Sequence, residues 1–187
     1  MTDLNAKPIN AARRSDRAVD DEAWIRALLD RAAVGVLATV DGDQPFLNSN
    51  LFVYDTDARV LYMHTARAGR TRANVEGHAK ICFTVTEMGR LLPADEALEF
   101  SVEYASVVVF GSAQVVHDAD EARHGLQLLL DKYFSHLQPG RDYRPITDDE
   151  LARTSVYRIA IDSWSGKRKQ VADDFPGAFL YGQASAT

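Results

Sequence analysis

The residues best suited to chemistry lie between Val60 and Val85, where two segments of alternating polarity flank a short polar turn. The turn combines hydroxyl groups, guanidinium groups and a glycine, at Thr65, Gly69, Arg70, Thr71 and Arg72. A helix that begins after such a turn offers free backbone N–H groups, which together with arginine favour phosphate oxygens. The pattern therefore predicts a site for a phosphorylated ligand, built on a strand, a basic turn, a short helix and a second strand.

A second polar segment, Asn48-Ser49-Asn50, interrupts a strand that is otherwise apolar. Polar side chains that are buried in a protein need hydrogen-bond partners. The segment therefore either faces a ligand or marks an exposed edge or bulge of a sheet, and the residues themselves leave both interpretations open.

The sequence lacks the motifs of several common enzyme classes. It has no Gly-x-Gly-x-x-Gly after a strand and no Gly-x-Ser-x-Gly, and Gly166-Lys167 lacks the earlier glycine of a P-loop. His78 and Cys82 form the one pair at a spacing typical of metal ligands, but two ligands do not make a zinc site and strand residues four apart are separated by about 13 Å. We therefore expect no metal site and interpret Cys82 as a small core residue.

The elements that must position these residues are mostly strands. We expect strands at Val34–Val40, Gln44–Tyr54, Val60–His64, Lys80–Val85, Glu99–His117 and Ser155–Ser163. Helices are expected from Asp20 and Asp21 to Gly35, over Ala119–Tyr133, and after a capping box formed by Thr147 and Glu150. Residues 86–97 are predicted as a loop. Consecutive hairpins with few helices between them predict a mainly β fold, an antiparallel β-barrel with peripheral helices.

Length and composition limit the remaining possibilities. With 187 residues, we expect a flexible N-terminal arm at residues 1–18 and a single domain at residues 19–187. The formal charge of −6 argues against nucleic acid or an anionic membrane as partner. One cysteine excludes an internal disulfide bond, and the sequence contains neither a signal peptide nor an apolar run long enough to span a bilayer, so we expect a cytoplasmic protein.

Three segments together resemble the pyridoxamine 5′-phosphate oxidase-like superfamily, and more narrowly the flavin-nucleotide-binding proteins that include the nitroimidazole-resistance proteins. The most specific are Leu-Tyr-x-His-x-Ala-x-x-Gly-Arg over Leu61–Arg70 and Tyr-x-Ser-Val-x-x-x-Gly over Tyr104–Gly111. The third is a closing strand that ends in Ser-Trp-Ser-Gly-Lys. The resemblance implies a six-stranded antiparallel split β-barrel that forms a homodimer and holds FMN at the dimer interface.

The resemblance also implies which side chains surround the flavin. Those along the isoalloxazine ring and ribityl chain would be Asn48, Ser49, Asn50, Met63, His64, Thr65 and Ala66. Those that bind the phosphate would be Arg70 and Thr71. Those that complete the pocket, from the same subunit or its partner, would be Ser106, Val107, Trp164, Lys167 and Arg168. Thr71 stands where relatives commonly have lysine, which leaves open whether Arg72 supplies the missing charge.

The resemblance implies an FMN-dependent oxidoreductase that reduces a small oxidised substrate, of the nitro or quinone type, with NAD(P)H as a candidate electron donor. Flavin supplies the hydride chemistry, so the protein need only bind, orient and tune it. His64, which lies beside the flavin in relatives, is the one candidate catalytic residue, although a strand histidine with a structural hydrogen bond would look the same in sequence. The alternatives are a non-catalytic flavin carrier or redox sensor, and a split barrel that binds haem or the deazaflavin F420.

Overall fold

An antiparallel sheet surrounded by short helices makes up the protein in a computed structural model that describes residues 7–183. The strands are β1 (Ala18–Val19), β2 (Gly35–Asp41), β3 (Gln44–Asn50), β4 (Phe52–Asp55), β5 (Val60–Ala66), β6 (Lys80–Leu92), β7 (Ser101–Val115), β8 (Thr154–Lys169) and β9 (Phe179–Leu180). The helices are α1 (Glu22–Arg31), α2 (Arg70–Gly77), α3 (Ala119–Tyr133) and α4 (Asp148–Ala152). The mainly β, antiparallel fold class predicted from the sequence is confirmed.

The order of the strands requires the sheet to roll up. Hydrogen bonding runs in the order β3-β2-β6-β7-β8-β5-β4, which places β3 and β4 at opposite ends of the path. These two strands are joined by the single residue Leu51, and one residue spans at most about 3.6 Å. The two edges must therefore meet, yet the described residues of β3 and β4 form no ladder with each other. The result is a split barrel with a seam beside β3. The one strand predicted at Gln44–Tyr54 is divided into β3 and β4, and counting these two as one strand gives six long strands.

The interior of the barrel is filled by the inward-facing side of each strand. The register places Leu37, Phe83 and Val109 side by side on β2, β6 and β7, and all three are buried. Helix α1, whose N-terminus is capped by Asp21, adds Ile25, Leu28 and Leu29 to the same core. These buried positions follow the alternation of the strands, in which residues two apart share one face.

Helix α3 covers a different part of the barrel. Its residues Ala122 and Leu129 form a second buried cluster with Val53, Tyr62 and Val156, on the outer side of β4, β5 and β8. A Cβ at Gly125 would approach Tyr62 Cδ1 to 2.8 Å, so glycine at this position allows the helix to lie close to the sheet. The helix thus holds β5, which carries part of the predicted site, from outside.

Several predicted boundaries were wrong. Helix α1 ends at Arg31, and Gly35 belongs to β2, where a Cβ would meet the Phe83 ring at 2.0 Å. The segment 86–97 is largely strand, because β6 continues along β7 to Leu92, with a register shift between Met88 and Leu91. Strand β8 likewise continues to Lys169. Cys82 is half-buried on the outer face of β6 and not in the core, since its neighbours Ile81 and Phe83 point inward.

The predicted N-terminal arm meets the barrel at its end. Ala18 and Val19 pair with Lys167 and Gly166 of β8, so the boundary predicted at residue 18 falls inside a short strand. Residues 1–6 lie outside the described residues, and the flexibility of the arm stays a prediction. Within residues 7–183, no helix combines the length and the apolar character needed to cross a membrane.

Candidate functional site

A cavity of about 460 Å³ opens along the seam of the barrel, between β3, the end of β5 and the start of α2. We call it the seam cavity. Its lining residues are Phe46, Asn48, Ser49, Asn50, His64, Thr65, Ala66, Ala68, Gly69, Arg70 and Thr71. The structure therefore brings together every predicted site residue of β3, β5 and α2 except Met63.

The two asparagines of β3 connect the edges of the seam. Asn48 Nδ2 donates to Thr71 Oγ1 at 3.1 Å, and Asn50 Nδ2 donates to the backbone oxygen of His64 at 2.6 Å. Alternation along the strand turns Asn48 and Asn50 to one side and Ser49 to the other. The segment thus lies on an edge strand and also lines a cavity, and contact of these residues with a ligand stays a prediction.

The N-terminal end of α2 closes the seam cavity at the predicted phosphate position. Gly69 precedes the helix with a φ of 156°, a conformation that side-chain-bearing residues rarely adopt, and no side chain of residues 7–183 caps the helix. The first N–H groups of α2 therefore lack a capping acceptor from a side chain, which is the arrangement that favours a bound anion. The Thr71 side chain is buried beside them.

Of the two arginines that were considered for the phosphate, only Arg70 lines the seam cavity. Its Nη1 lies 2.6 Å from Asp41 Oδ2, and both side chains are about half exposed. Arg72 turns away, because its Nε donates to Glu76 Oε1 at 2.8 Å and its Nη1 to Ser155 Oγ at 3.1 Å. Arg72 therefore does not line the seam cavity.

His64 is one of the two ionisable side chains that line the seam cavity; the other is Arg70. Burial lowers the pKa of its imidazole, so the ring is uncharged at neutral pH. Its Nδ1 is buried and has no hydrogen-bond partner within residues 7–183. The same ring also forms part of the wall of a second cavity, of about 520 Å³, which lies beneath α3. Next to it, Thr65 Oγ1 and Tyr157 Oη share a hydrogen bond of 2.8 Å.

The remaining predicted residues lie elsewhere in the same chain. Met63 and Val107 are fully buried in the core, and Trp164 packs edge-on against Tyr54. Ser106 and Lys167 are neighbours on the outer face of β7 and β8. Arg168 lies with its guanidinium carbon 6.0 Å from the centre of the Trp24 ring, beside α1. None of these predicted residues lines the seam cavity of its own chain.

Sequence reasoning missed three residues of this site. Phe46 lies on the same side of β3 as Asn48, and the period of two could have identified it. Ala68 precedes the predicted Gly69 in the turn before α2. Asp41 pairs with Arg70 from the β2–β3 turn, and no local signal connects two residues so far apart in the chain.

The fold and the seam cavity define a split-barrel protein with a site suited to a phosphorylated ligand. The sequence profile of the pyridoxamine 5′-phosphate oxidase family matches residues 21–168, and the chain therefore belongs to this family. A comparison with curated protein sequences found no match.

Solved structures agree with this assignment. The flavocytochrome Anf3 from Azotobacter vinelandii is 24% identical, with a TM-score of 0.73 over 88% of this chain and 76% of that chain. The FAD and heme binding protein from Mycobacterium smegmatis is 26% identical, with a TM-score of 0.73 over 83% of this chain and 74% of that chain. A Bacteroides thetaiotaomicron protein whose name links it to 5-nitroimidazole antibiotic resistance is 20% identical, with a TM-score of 0.66 over 81% and 86%.

Proposed function

We propose that this protein binds FMN in the seam cavity and acts as an FMN-dependent oxidoreductase on a small oxidised substrate of the nitro or quinone type. The observation that carries the proposal is the arrangement of this cavity: an uncapped helix N-terminus with Arg70 at one end, and amide and imidazole side chains along the other. A flavin mononucleotide has the matching parts, a phosphate at one end and a hydrogen-bonding ring at the other.

Each part of the seam cavity has a distinct role in this proposal. Arg70 and the first N–H groups of α2 would hold the phosphate. The side chains of Asn48, Asn50 and His64 would face the ribityl chain and the ring. Bound FMN supplies the hydride chemistry, and the chain's own residues orient it and limit the access of water.

Family membership supports a flavin as the ligand. The Mycobacterium smegmatis protein of similar fold is named for FAD and haem. FMN and FAD share the ring, the ribityl chain and the first phosphate, so the same cavity could accept either. A direct comparison of the two ligands belongs in the first binding experiment.

The test of the flavin site is a titration of the purified protein with FMN and FAD, followed by quenching of flavin fluorescence. Replacing Arg70 with Ala removes a charge-assisted hydrogen bond worth about 1.5–3 kcal/mol, so affinity should fall by about ten- to a hundredfold. Arg72→Ala is the matched control, because it removes the same charge from the same helix outside the seam cavity. Its affinity should stay close to that of the wild type.

Two results would overturn this assignment. A protein that is colourless as purified and takes up neither flavin would remove the proposed function. An equal loss of affinity in Arg70→Ala and Arg72→Ala would show that only the net charge matters and that the phosphate is not bound where we place it.

We also propose that the protein is a homodimer with the flavin at the interface. The outer face of β3, β2, β6 and β7 carries a row of small and apolar side chains that the register places side by side: Leu47, Ala38, Cys82 and Phe110. The next row contains Ser49, Val36, Thr84 and Val108. All are half-buried or exposed, and Leu47 is 65% exposed. We call this surface the outer sheet face.

The location of the outer sheet face supports this dimer. Ser106 and Lys167, predicted to contact the flavin, continue the same face one row further along. Ser49 belongs both to this face and to the seam cavity. A second copy docked on the outer sheet face would therefore bring its own Ser106 and Lys167 toward a site that lacks a second cation.

A flavin carrier or redox sensor is the second candidate function. Arg70 and His64 are the two ionisable side chains that line the seam cavity, and His64 is uncharged at neutral pH. The cavity wall thus contains no carboxylic acid that could protonate a substrate. Reduction by NAD(P)H followed by rapid reoxidation with a nitro compound or quinone would favour the enzyme, and flavin binding without turnover would favour the carrier. An absorption spectrum of the purified protein separates flavin from haem or F420.

A further inference from the structure

We propose that a cavity beside the turn before α2, separate from the seam cavity, binds inorganic phosphate. It lies between this turn, the start of α3 and the start of β8, and its volume is about 270 Å³. We call it the arginine cavity, after Arg67 and Arg72 in its wall. Because small-molecule sites typically measure about 300–1,000 Å³, this cavity suits a small ion together with bound water.

The turn before α2 divides its side chains between the two cavities. Residues 68–71 line the seam cavity, whereas Arg67 and Arg72, which flank them in the chain, line the arginine cavity. The two cavities have no lining residue in common. The phosphate site is therefore distinct from the flavin site and does not rest on the proposed flavin function.

Arg67 carries a charge that no carboxylate of residues 7–183 neutralises. Its Nη1 donates to the backbone oxygen of Ala152 at 2.6 Å, and its Nε and Nη2 make no hydrogen bond within this part of the chain. Its backbone N–H donates to the oxygen of Arg153 at 3.1 Å. Backbone and side chain are thus both held in place, while two nitrogens of the guanidinium group remain available to a ligand.

Arg72 is held by other contacts. Its Nη1 donates to Oγ of the buried Ser155 at 3.1 Å, and its Nε donates to Glu76 Oε1 at 2.8 Å. Glu76 does not line the arginine cavity, and Nη2 of Arg72 makes no hydrogen bond within residues 7–183. Because the guanidinium group is a rigid fork, the two bonded nitrogens also fix the third. Two immobilised arginines beside one cavity favour an oxyanion.

Asp118 makes inorganic phosphate the oxyanion that fits best. It lines the arginine cavity, its Oδ1 caps α3 by accepting from Asp120 and Glu121, and its Oδ2 makes no hydrogen bond within residues 7–183. A carboxylate repels a fully ionised anion, but it accepts a hydrogen bond from an anion that carries an O–H group. Inorganic phosphate carries such a group at neutral pH, whereas sulfate and a fully ionised phosphate monoester do not. His117 is the remaining ionisable side chain of the wall.

The test is titration calorimetry of the full-length protein with inorganic phosphate and with sulfate, in a phosphate-free buffer at about pH 7.5. The wild type and Arg70→Ala are both titrated, because Arg70→Ala lacks the arginine of the seam cavity and so reports on the arginine cavity alone. Both proteins should bind inorganic phosphate, and Arg70→Ala should bind it at least about tenfold more tightly than sulfate.

Two further variants locate the ion. Arg67→Ala removes a charge-assisted hydrogen bond, so the affinity for phosphate should fall by about ten- to a hundredfold. Arg153→Ala is the matched control, because it removes the same charge from an exposed position outside the cavity. Asp118→Asn keeps a residue that can cap α3 but replaces the carboxylate with an amide that can donate, so the preference for phosphate over sulfate should disappear.

The outcomes separate the proposals. Equal affinity for phosphate in Arg67→Ala and Arg153→Ala would refute the site, and equal binding of phosphate and sulfate by Arg70→Ala would refute the ligand. A preference for phosphate that survives in Asp118→Asn would refute the role of Asp118. Titration of the wild type with FMN tests the other site: if phosphate binding depends on Arg67 and FMN does not bind, the proposed function fails while the phosphate site stands.

Discussion

Arg70 is held by a carboxylate at the place where we expect a phosphate. Asp41 lies 2.6 Å from its guanidinium group, and the pair is about half exposed. Exposed ion pairs are worth about 0.2–1 kcal/mol, so the pair opposes ligand binding only weakly. The phosphate and Asp41 nevertheless compete for the same side chain, which makes Asp41 a residue that tunes affinity without contacting the flavin ring.

Replacing Asp41 with Asn should therefore strengthen FMN binding. The variant releases Arg70 and removes a negative charge from the mouth of the seam cavity, and the expected gain is about two- to fivefold in affinity. Titrations at low and high salt provide the check, since screening should shrink the difference between variant and wild type. Weaker binding by Asp41→Asn at low salt would mean that Asp41 positions Arg70 for the ligand.

His64 should make the stability of the protein depend on pH. Burial lowers the pKa of the folded imidazole below its ordinary value of 6.5, so the unfolded chain binds the extra proton more readily. The stability contributed by the uncharged ring is complete above pH 6.5 and is lost as the pH falls from 6.5 toward the lower pKa of the folded state. Urea unfolding at about pH 7.5 and about pH 5.5 should show a smaller decrease for His64→Gln than for the wild type. An equal decrease in both proteins would contradict the assignment.

At the residue scale, the sequence allowed prediction of those site residues that lie close together in the chain. Thr65, Gly69, Arg70 and Thr71 follow one another within a short segment, so their residue types were enough to predict an anion site. The direction of Arg72 could not be read in this way, because Ser155, which accepts from it, comes from a strand far along the chain.

At the scale of the elements, β7 and β8 approach each other closely at Gly111. A Cβ at this position would lie 2.0 Å from the backbone oxygen of Ala160, at the point where the register of the two strands shifts. A backbone oxygen cannot relieve this clash by changing rotamer, as a side chain can. Gly111→Ala should therefore destabilise the protein by about 1–3 kcal/mol. The measurement is the free energy of unfolding in urea.

Gly77 provides the matched control for this prediction. It ends α2, and a methyl group added there would have no neighbour within 4 Å, so Gly77→Ala should be neutral or slightly stabilising. A comparable loss of stability in the two variants would show that the close contact between β7 and β8 is not the cause.

The bounds of α3 and β6 show which boundaries local sequence patterns can predict and which they cannot. Helix α3 was predicted with its observed bounds, because its apolar spacing and its Asp118 cap lie within its own sequence. Strand β6 was predicted to end too early, since Gly89 and Pro93 are typical of a loop. In the structure, Gly89 and Arg90 lie at a register shift between β6 and β7, and the Arg90 guanidinium donates to the Glu103 carboxylate of β7 at 2.8 Å. This partner lies on the next strand, so the local sequence does not reveal it.

For the molecule as a whole, the outer sheet face makes a test of assembly possible. Val108→Glu places a charge at the centre of this face, where burial against a second copy would leave it unpaired. Sedimentation should find a dimer for the wild type and a monomer for the variant. Gln138→Glu, on a loop away from this face, should remain dimeric.

The same pair of variants tests whether the flavin site is shared between subunits. If Ser106 and Lys167 of a second copy contribute to it, monomeric Val108→Glu should bind FMN more weakly than Gln138→Glu. A wild type that sediments as a monomer yet binds FMN tightly would contradict the shared site.

The overall architecture was predictable because successive hairpins allow few arrangements other than an antiparallel barrel. The distribution of the predicted site residues between the seam cavity and the outer sheet face was not predictable. The resemblance placed Asn48, Arg70 and Lys167 around one flavin, with Lys167 from the same subunit or its partner. The rolled sheet puts Lys167 on its outer face, away from the seam cavity of the same chain. Which side chains meet depends on how far the sheet curls and on what covers its outer side, and neither is encoded in a single segment.

The single-residue link at Leu51 has a consequence for how this barrel holds a ligand. It fixes β3 and β4 together at one end, while along the seam Asn48 and Asn50 bond across to Thr71 and His64. A ligand in the seam cavity would contact both edges of the seam and would hold them together. We therefore expect a bound ligand to stabilise the closed barrel, so that the free energy of unfolding rises with ligand concentration.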